Sequence, residues 1–227
     1  GGRGGTACND ENEINLRANS SLMIIMVNVA CHAGTCSIAY TNRNDYCQEY
    51  AVAYCALSTS MDKRRLTLLH EAGGHGFGKL GDEYDGEFIN SFSTGKWNDL
   101  NNLHNWGLHR NINEHWTAEE KADGWSVDFR DTYTDESNVY WSELLSDSYN
   151  YQYTEGLGIY RGANTYDNLY CRPTQNSLMR SQFQENGQFF NAISRWAIWY
   201  RLMKMTESTN ATNFKSSLNE FITFDAT

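Results

Sequence analysis

Three apolar segments in the first quarter of the chain have the length and pattern of β-strands. Residues 22–29 form an almost continuous apolar run, as expected of a strand covered on both faces. Residues 37–40 suit a short edge strand, and residues 50–57 form a further apolar strand. A loop at Ala33-Gly34 separates the first two segments. The pattern therefore predicts the order strand, loop, strand, strand.

A helix is predicted directly after these strands. Its apolar positions are Met61, Leu66 and Leu69. Thr59 or Ser60 precedes them as an N-cap candidate. Gly76 and Gly78 are expected to end the helix, because glycine is a poor helix former.

The rest of the chain is less regular. Residues 85–170 are polar, aromatic and rich in Asn and Asp, which indicates loops, with a capping-box helix at residues 117–123. Apolar residues then recur at helical spacing, at Phe189, Ile193, Trp196, Tyr200 and Met203. Residues 206–227 are polar, with a short run at residues 221–224 that suits an edge strand or the start of another module.

One segment concentrates the side chains that a hydrolytic zinc site needs. His70 and His75 offer neutral imidazoles, and Glu71 offers a carboxylate that can take a proton from metal-bound water. Asp82 or Glu83 can complete the ligand set. The alternative is a glycine-rich turn with incidental histidines. In a chain with only 6 histidines, two that flank a glutamate and precede an acidic pair favour the metal site.

The spacing of the two histidines predicts a distorted helix. Zinc-protease helices place their histidines four residues apart, whereas His70 and His75 are five apart. On a regular α-helix, residues five apart point in directions roughly 140° apart, too far for one ion. A wide turn of π type brings them back to one face, and Gly73-Gly74 would tolerate it best.

This segment resembles the motif of the IgA-peptidase family of bacterial zinc metallopeptidases, a branch of the metzincin-like proteases. The family pattern is H-E-x-G-H, a few small residues, then L-x-D-E-Y. The matching residues are His70, Glu71, Gly74, His75, Leu80, Asp82, Glu83 and Tyr84, with one extra residue before the second histidine. Residues 170–180 resemble the family's R-P-x-x-N-S-x-M-R segment. Detailed similarity is confined to these two segments.

The resemblance implies a fold and a division of the chain. The expected fold is a loop-rich α/β zincin domain of metzincin type, with a small mixed sheet, an active-site helix, a Met-turn and a C-terminal helix. Residues 1–205 would form the metallopeptidase catalytic domain, lacking its first strands and helix upstream. Residues 206–227 would be a C-terminal extension or an edge strand.

The resemblance also assigns residue roles. It implies a zinc endopeptidase in which His70 and His75 bind zinc and Glu71 is the general base on zinc-bound water. Asp82 is the expected third metal ligand, with Glu83 as the alternative.

The resemblance also implies two turns, one at Gly78 and one at Met179. Met179 would lie in the Met-turn beneath the metal. Gly78 matches the metzincin glycine that turns the chain at positive φ. Some metzincins carry an oxyanion-assisting tyrosine two residues after the turn methionine, where this chain has Ser181. The nearby candidates are Tyr160, Tyr166 and Tyr170, and the sequence does not select among them.

Composition narrows the environment and the partners. The net charge of −10 argues against nucleic acid or an anionic membrane as partner, and the longest apolar run is too short to span a bilayer. Six cysteines fit a disulfide-permitting compartment, with Cys31 and Cys36 as thiols or as a loop-closing disulfide. With the resemblance, we expect a secreted, periplasmic or cell-surface bacterial protein that acts on a protein or glycoprotein.

Two other hypotheses compete with the endopeptidase. The first is a catalytically inactive, zinc-stabilised protein- or glycan-binding pseudo-peptidase whose altered histidine spacing has abolished turnover. Retention of Glu71 argues against it, because a structural site does not need a general base. The second is a glycan-binding module, suggested by the tryptophan and tyrosine content, which predicts no metal dependence. The loop histidines His104, His109 and His115 are weaker ligand candidates.

Overall fold

The computed structural model describes residues 20–31, 33–43, 46–57, 60–84, 109–114, 139–164, 166–181 and 188–226. The chain divides into two compact units. The first contains residues 1–79, 102–108 and 196–227, and the second contains residues 80–101 and 109–195. The division expected after residue 205 therefore falls inside the first unit. The described residues form a loop-rich α/β fold with two small sheets and four α-helices.

The α-helices in the described part of the chain are α1 (Met61–Leu68), α2 (Tyr151–Thr154), α3 (Ala192–Met205) and α4 (Leu218–Asp225). A π-helix, Leu69–Phe77, continues α1 without a break. Short 3₁₀ turns lie at Ser142–Leu145, Asp147–Tyr149 and Lys215–Ser217.

The sheet of the first unit confirms the three predicted strands. Its strands are β1 (Ser20–Val27), β2 (Gly34–Arg43) and β3 (Tyr46–Ala56). They lie in the order β1-β3-β2, with β3 parallel to β1 and antiparallel to β2. Strand β2 is thus at an edge, as its sequence predicted, although it extends well beyond residues 37–40.

The prediction that the first strand is covered on both faces is wrong. Met23 is 59 % exposed and Ile24 is 45 % exposed, although the two side chains point to opposite faces of β1. By contrast, Ala53 and Cys55 on the central strand β3 are buried and pack against Ala72 of the π-helix. An apolar run shows only that the residues are hydrophobic. Whether a strand is covered depends on the elements that pack against it, and the run itself does not specify them.

Helix α1 begins where its sequence indicated. Ser60 is the N-cap, and its hydroxyl accepts a hydrogen bond of 3.4 Å from the Lys63 backbone N–H. Asp62 in the first turn is favourable beside the positive end of the helix dipole.

The end of the chain is helical, so a strand at residues 221–224 is ruled out. Phe221 is buried in α4 while Phe224 lies on a more exposed side of the helix. Trp196 stacks on Phe214 with ring centroids 4.0 Å apart, and its indole N–H donates to Ser217 Oγ at 2.9 Å. This aromatic cluster covers one side of α4. A short apolar run has the same composition whether it lies in such a helix or in a strand, so the sequence alone did not distinguish the two.

The second unit has a small antiparallel sheet that the sequence did not predict. It consists of β4 (Asn113–Glu114), β5 (Tyr160–Ala163) and β6 (Tyr166–Arg172), in the order β4-β6-β5. A bulge interrupts β5, where Gly162 has a φ of 85°. Strand β6 was not predicted, because its polar residues interrupt any alternation of apolar and polar positions. The predicted helix at residues 117–123 lies outside the described residues.

Candidate metal site

The helix that carries the histidines is of π type, as the spacing predicted. The Gly78 N–H donates to the Gly73 carbonyl at 2.8 Å, an i→i+5 bond. Such bonds align residues five apart, as His70 and His75 are. The prediction was a one-residue bulge, whereas the distortion extends over all nine residues of Leu69–Phe77.

Close contacts explain the glycines at the end of this helix. A Cβ on Gly76 would lie 2.6 Å from Leu22 Cδ1, and a Cβ on Gly78 would lie 2.7 Å from Ile198 Cγ1. Gly78 has a φ of −72°, so the expectation of a positive φ there is wrong. The left-handed residue is Lys79, with a φ of 57°. Glycine at both positions therefore avoids close contacts, and the next residue reverses the chain.

The two imidazoles are arranged as ligands of one ion would be. The Nε2 atoms of His70 and His75 are 3.2 Å apart, and the rings are nearly perpendicular, at 86°. Two nitrogens that bind one tetrahedral zinc at about 2.0–2.1 Å are roughly 3.3 Å apart. A hydrogen bond between two imidazoles has a similar length, so a third donor is needed to distinguish the two arrangements.

Asp82 is the third member of a group that could hold a metal ion. One ligand atom from each of His70, His75 and Asp82 lies within 4.8 Å of the others. His70 is buried, while His75 and Asp82 are half-buried. This limit of 4.8 Å is longer than the edge of roughly 3.3 Å in a tetrahedral zinc site. Two imidazoles and a carboxylate form a donor set that can bind a metal ion.

Glu71 is buried against the start of β2. A Cβ on Gly34 would lie 2.5 Å from Glu71 Oε1 and 2.6 Å from Glu71 Cγ, so only glycine leaves room for this carboxylate. The prediction that Gly34 lies in a loop is wrong, because Gly34 begins β2, and its contact with Glu71 was not predicted. A single sequence contains no signal for it, because the contact joins residues on separate elements.

The cysteines near Glu71 are protonated thiols. Burial raises the pKa of Cys36 to about 11, with the Lys79 charge opposing the rise and the Glu71 charge adding to it. Burial also raises the pKa of Cys55, and Glu71 again adds to the rise. Metal-binding cysteines are thiolates, so these two are poor ligands. Cys31 and Cys36 are both free, so the loop-closing disulfide is not formed.

Glu83, the alternative third ligand, is outside the group of His70, His75 and Asp82 that could hold a metal ion, which we call the metal-ligand group. Its side chain is fully buried and accepts hydrogen bonds from Asn111, Ser177 and Asn191. Burial raises the pKa of Glu83, while these three donors and the Arg172 charge oppose the rise.

The segment with the turn methionine does form a tight turn. The backbone N–H groups of Arg180 and Ser181 donate to the Ser177 carbonyl at 3.1 and 2.9 Å. Met179 is buried in this turn, and its carbonyl accepts the Glu83 N–H at 2.9 Å. The turn is thus attached to the residue next to Asp82.

The remaining ligand and oxyanion candidates are described only in part. His109 is described but does not belong to the metal-ligand group, while His104 and His115 lie outside the described residues. The Tyr160 hydroxyl donates to the Gly156 carbonyl at 2.9 Å, and Tyr170 is buried. These observations select no tyrosine as an oxyanion donor.

None of the helices in the described part of the chain is long and apolar enough to cross a membrane. Neither a comparison with protein-family models nor a search among curated proteins found a match to this chain. The two motifs and the geometry of the site are therefore the features that indicate a function.

Proposed function

We propose that this chain is a zinc-dependent endopeptidase that hydrolyses peptide bonds in extended protein segments. The observation that carries the proposal is the 3.2 Å separation of the His70 and His75 Nε2 atoms on a π-helix whose period matches their spacing. Glu71 directly follows His70 on that helix, and its side chain is buried. The two segments that resemble IgA peptidases support the same assignment.

Zinc suits the donor set, and His70, His75 and Asp82 would hold it. Imidazole nitrogen and carboxylate oxygen are common zinc ligands, and three protein ligands leave a fourth position for substrate or water. Held by these residues, zinc would supply Lewis-acid activation of the scissile carbonyl and of the attacking water.

Glu71 would move the proton. Its carboxylate oxygen takes a proton from the attacking water and passes it to the nitrogen of the leaving amine. Gly34 leaves the space that the Glu71 carboxylate occupies, because a Cβ there would lie 2.5 Å from Glu71 Oε1. This use of a carboxylate distinguishes a catalytic site from a purely structural one.

The wider assignment follows from the same resemblance. We propose a metzincin-like zincin domain over residues 1–205, and a protein or glycoprotein as substrate. The proposed location is secreted, periplasmic or on the cell surface of a bacterium. The net charge of −10 is compatible with a soluble substrate and unfavourable for nucleic acid.

The test compares the zinc-loaded protein with its Glu71→Gln variant on a reduced and carboxymethylated protein, with cleavage mapped by mass spectrometry. We expect chelator-sensitive cleavage that falls by roughly 10²–10⁴-fold in Glu71→Gln, the usual contribution of a general base. Bound zinc is measured on both samples, because the variant must retain it. Zinc binding without cleavage would favour the pseudo-peptidase, and failure to bind zinc would reject both hypotheses.

A further inference from the structure

Glu83 has no role in the proposed chemistry, yet it is the centre of a buried hydrogen-bond network. Its Oε1 accepts from Asn111 Nδ2 at 2.8 Å and from Asn191 Nδ2 at 2.9 Å. Its Oε2 accepts from Ser177 Oγ at 2.5 Å and from Asn191 Nδ2 at 3.0 Å. One fully buried carboxylate therefore joins three segments that are far apart in sequence.

Asn111 extends this network to the residue before Asp82. Its Nδ2 donates to the Gly81 carbonyl at 2.9 Å as well as to Glu83, and its Oδ1 accepts the Gly81 N–H at 2.8 Å. Both hydrogen-bonding groups of the Gly81 backbone are thus used. A Cβ on Gly81 would also lie 2.8 Å from Ile112 Cδ1, so this backbone lies tightly against the residues around Asn111.

The backbone is fixed at all three residues around the proposed ligand. Gly81 is held by Asn111, the Asp82 carbonyl accepts the Asn164 N–H at 2.8 Å, and the Glu83 N–H donates to the Met179 carbonyl at 2.9 Å. Since a ligand side chain can only be as well placed as its own backbone, this arrangement restricts where the Asp82 carboxylate can lie.

A carboxylate is a costly choice for a position that only fills space. Burying a charge is unfavourable unless hydrogen bonds replace water, and apolar residues of similar volume are often as stable. Here Glu83 receives hydrogen bonds from two amides and a hydroxyl, all of them neutral donors. The chemistry favours a specific connecting role over simple packing.

We propose that Glu83 is a positioning residue for the metal site: through Asn111, Ser177 and its own backbone bond to Met179, it holds the backbone of residues 81–83 and thereby sets the Asp82 carboxylate as third ligand. This inference rests on the proposed metal function of His70, His75 and Asp82. It gives the second acidic residue of the Asp82-Glu83 pair a role distinct from the first.

The test measures zinc affinity in Glu83→Gln by competition with a chromophoric chelator, and records the cobalt(II) spectrum of the same variant. A Gln amide nitrogen would face hydrogen-bond donors, so the network must rearrange. We expect the zinc Kd to rise by about 10–100-fold, as when outer partners of metal ligands are changed. The ligand-field bands of bound cobalt should also shift, because they report the geometry of the ligands.

Glu155→Gln is the matched control. Glu155 belongs to the same unit and holds the start of α3, accepting from the Ala192 N–H at 3.0 Å and pairing with Arg195 at 2.6 Å. It makes none of the contacts to residues 81–83 described above. Both variants are expected to lower the midpoint of thermal unfolding, and only Glu83→Gln is expected to change the zinc Kd and the cobalt spectrum.

A folded Glu83→Gln protein with wild-type zinc affinity and an unchanged cobalt spectrum would overturn the inference. If that variant does not fold, Asn111→Ala removes the contacts to Gly81 and leaves the other donors to Glu83, and the same criterion applies to it. Failure of the peptidase proposal is distinguishable, because zinc affinity is measured without any substrate. A wild-type protein that binds no zinc would overturn the inference as well.

Discussion

The segment that carries the two histidines and the segment that carries Asp82 are held in place by different interactions. Around the π-helix, close contacts occur where glycine leaves space, as Gly34 does for Glu71 and Gly76 does for Leu22. The backbone at residues 81–83 is instead held by directional hydrogen bonds from Asn111 and Asn164 and to Met179. We therefore expect the first segment to be disturbed by substitutions that enlarge a side chain. We expect the second to be disturbed by substitutions that remove a hydrogen-bonding group with little change of volume.

The largest effect is expected at Gly34. In Gly34→Ala the new methyl group would overlap Glu71 Oε1, so the carboxylate must leave its position. We expect peptidase activity to fall by about 10²–10⁴-fold, as if the base had been removed, while bound zinc is unchanged. Thr35→Ala is the control, because it shortens an exposed side chain on the same strand. Equal activity in Gly34→Ala and wild type would show that the contact does not position the base.

A smaller effect is expected at Gly76. Its Ala variant introduces a methyl group 2.6 Å from Leu22 Cδ1, and overpacking of this kind lowers the free energy of unfolding by about 1–3 kcal/mol. Urea unfolding of Gly76→Ala, Leu22→Ala and the double variant measures this coupling. Strict additivity of the two single changes would argue against a steric cause, because shortening Leu22 should relieve the overlap.

The smallest effect is expected from the hydrogen-bonded segment. Ser177→Ala removes one donor to Glu83 with little change of volume, and we expect it to lower the free energy of unfolding by about 1–2 kcal/mol. Ser148→Ala, at an exposed serine, serves as the reference in the same urea titration. If both serines give the same value, the hydrogen bond to Glu83 contributes nothing measurable, and the contrast between the two segments is lost.

The local part of the candidate site could be predicted from the sequence. The interval between His70 and His75, combined with the rotation per residue of a helix, was enough to indicate a π-type turn. Ser60 as N-cap and the strand at residues 50–57 were also confirmed, because both depend on neighbouring residues. The length of the distortion was underestimated, because the spacing of the histidines requires only one wide turn, whereas the π-helix covers nine residues.

Predictions that required knowledge of distant neighbours were wrong or missing. Residues 221–224 suited a strand by composition but lie in α4, because Phe221 packs in an aromatic cluster with Trp196. The apolar run of β1 suited a covered strand, yet Met23 is exposed. Strand β6 was missed, since its polar residues give no alternating pattern.

The sequence by itself indicated which residues offer the chemistry of metal ligands and of a base, and that the helix beneath them departs from an α-helix. Both depend on residue chemistry and on the local geometry of a few consecutive residues. Only the tertiary structure showed that Gly34 leaves room for Glu71, and that the group which could hold a metal ion contains Asp82 and not Glu83. The bond from Ser177 to Glu83 joins residues 94 positions apart, and only folding of the whole chain brings such groups together.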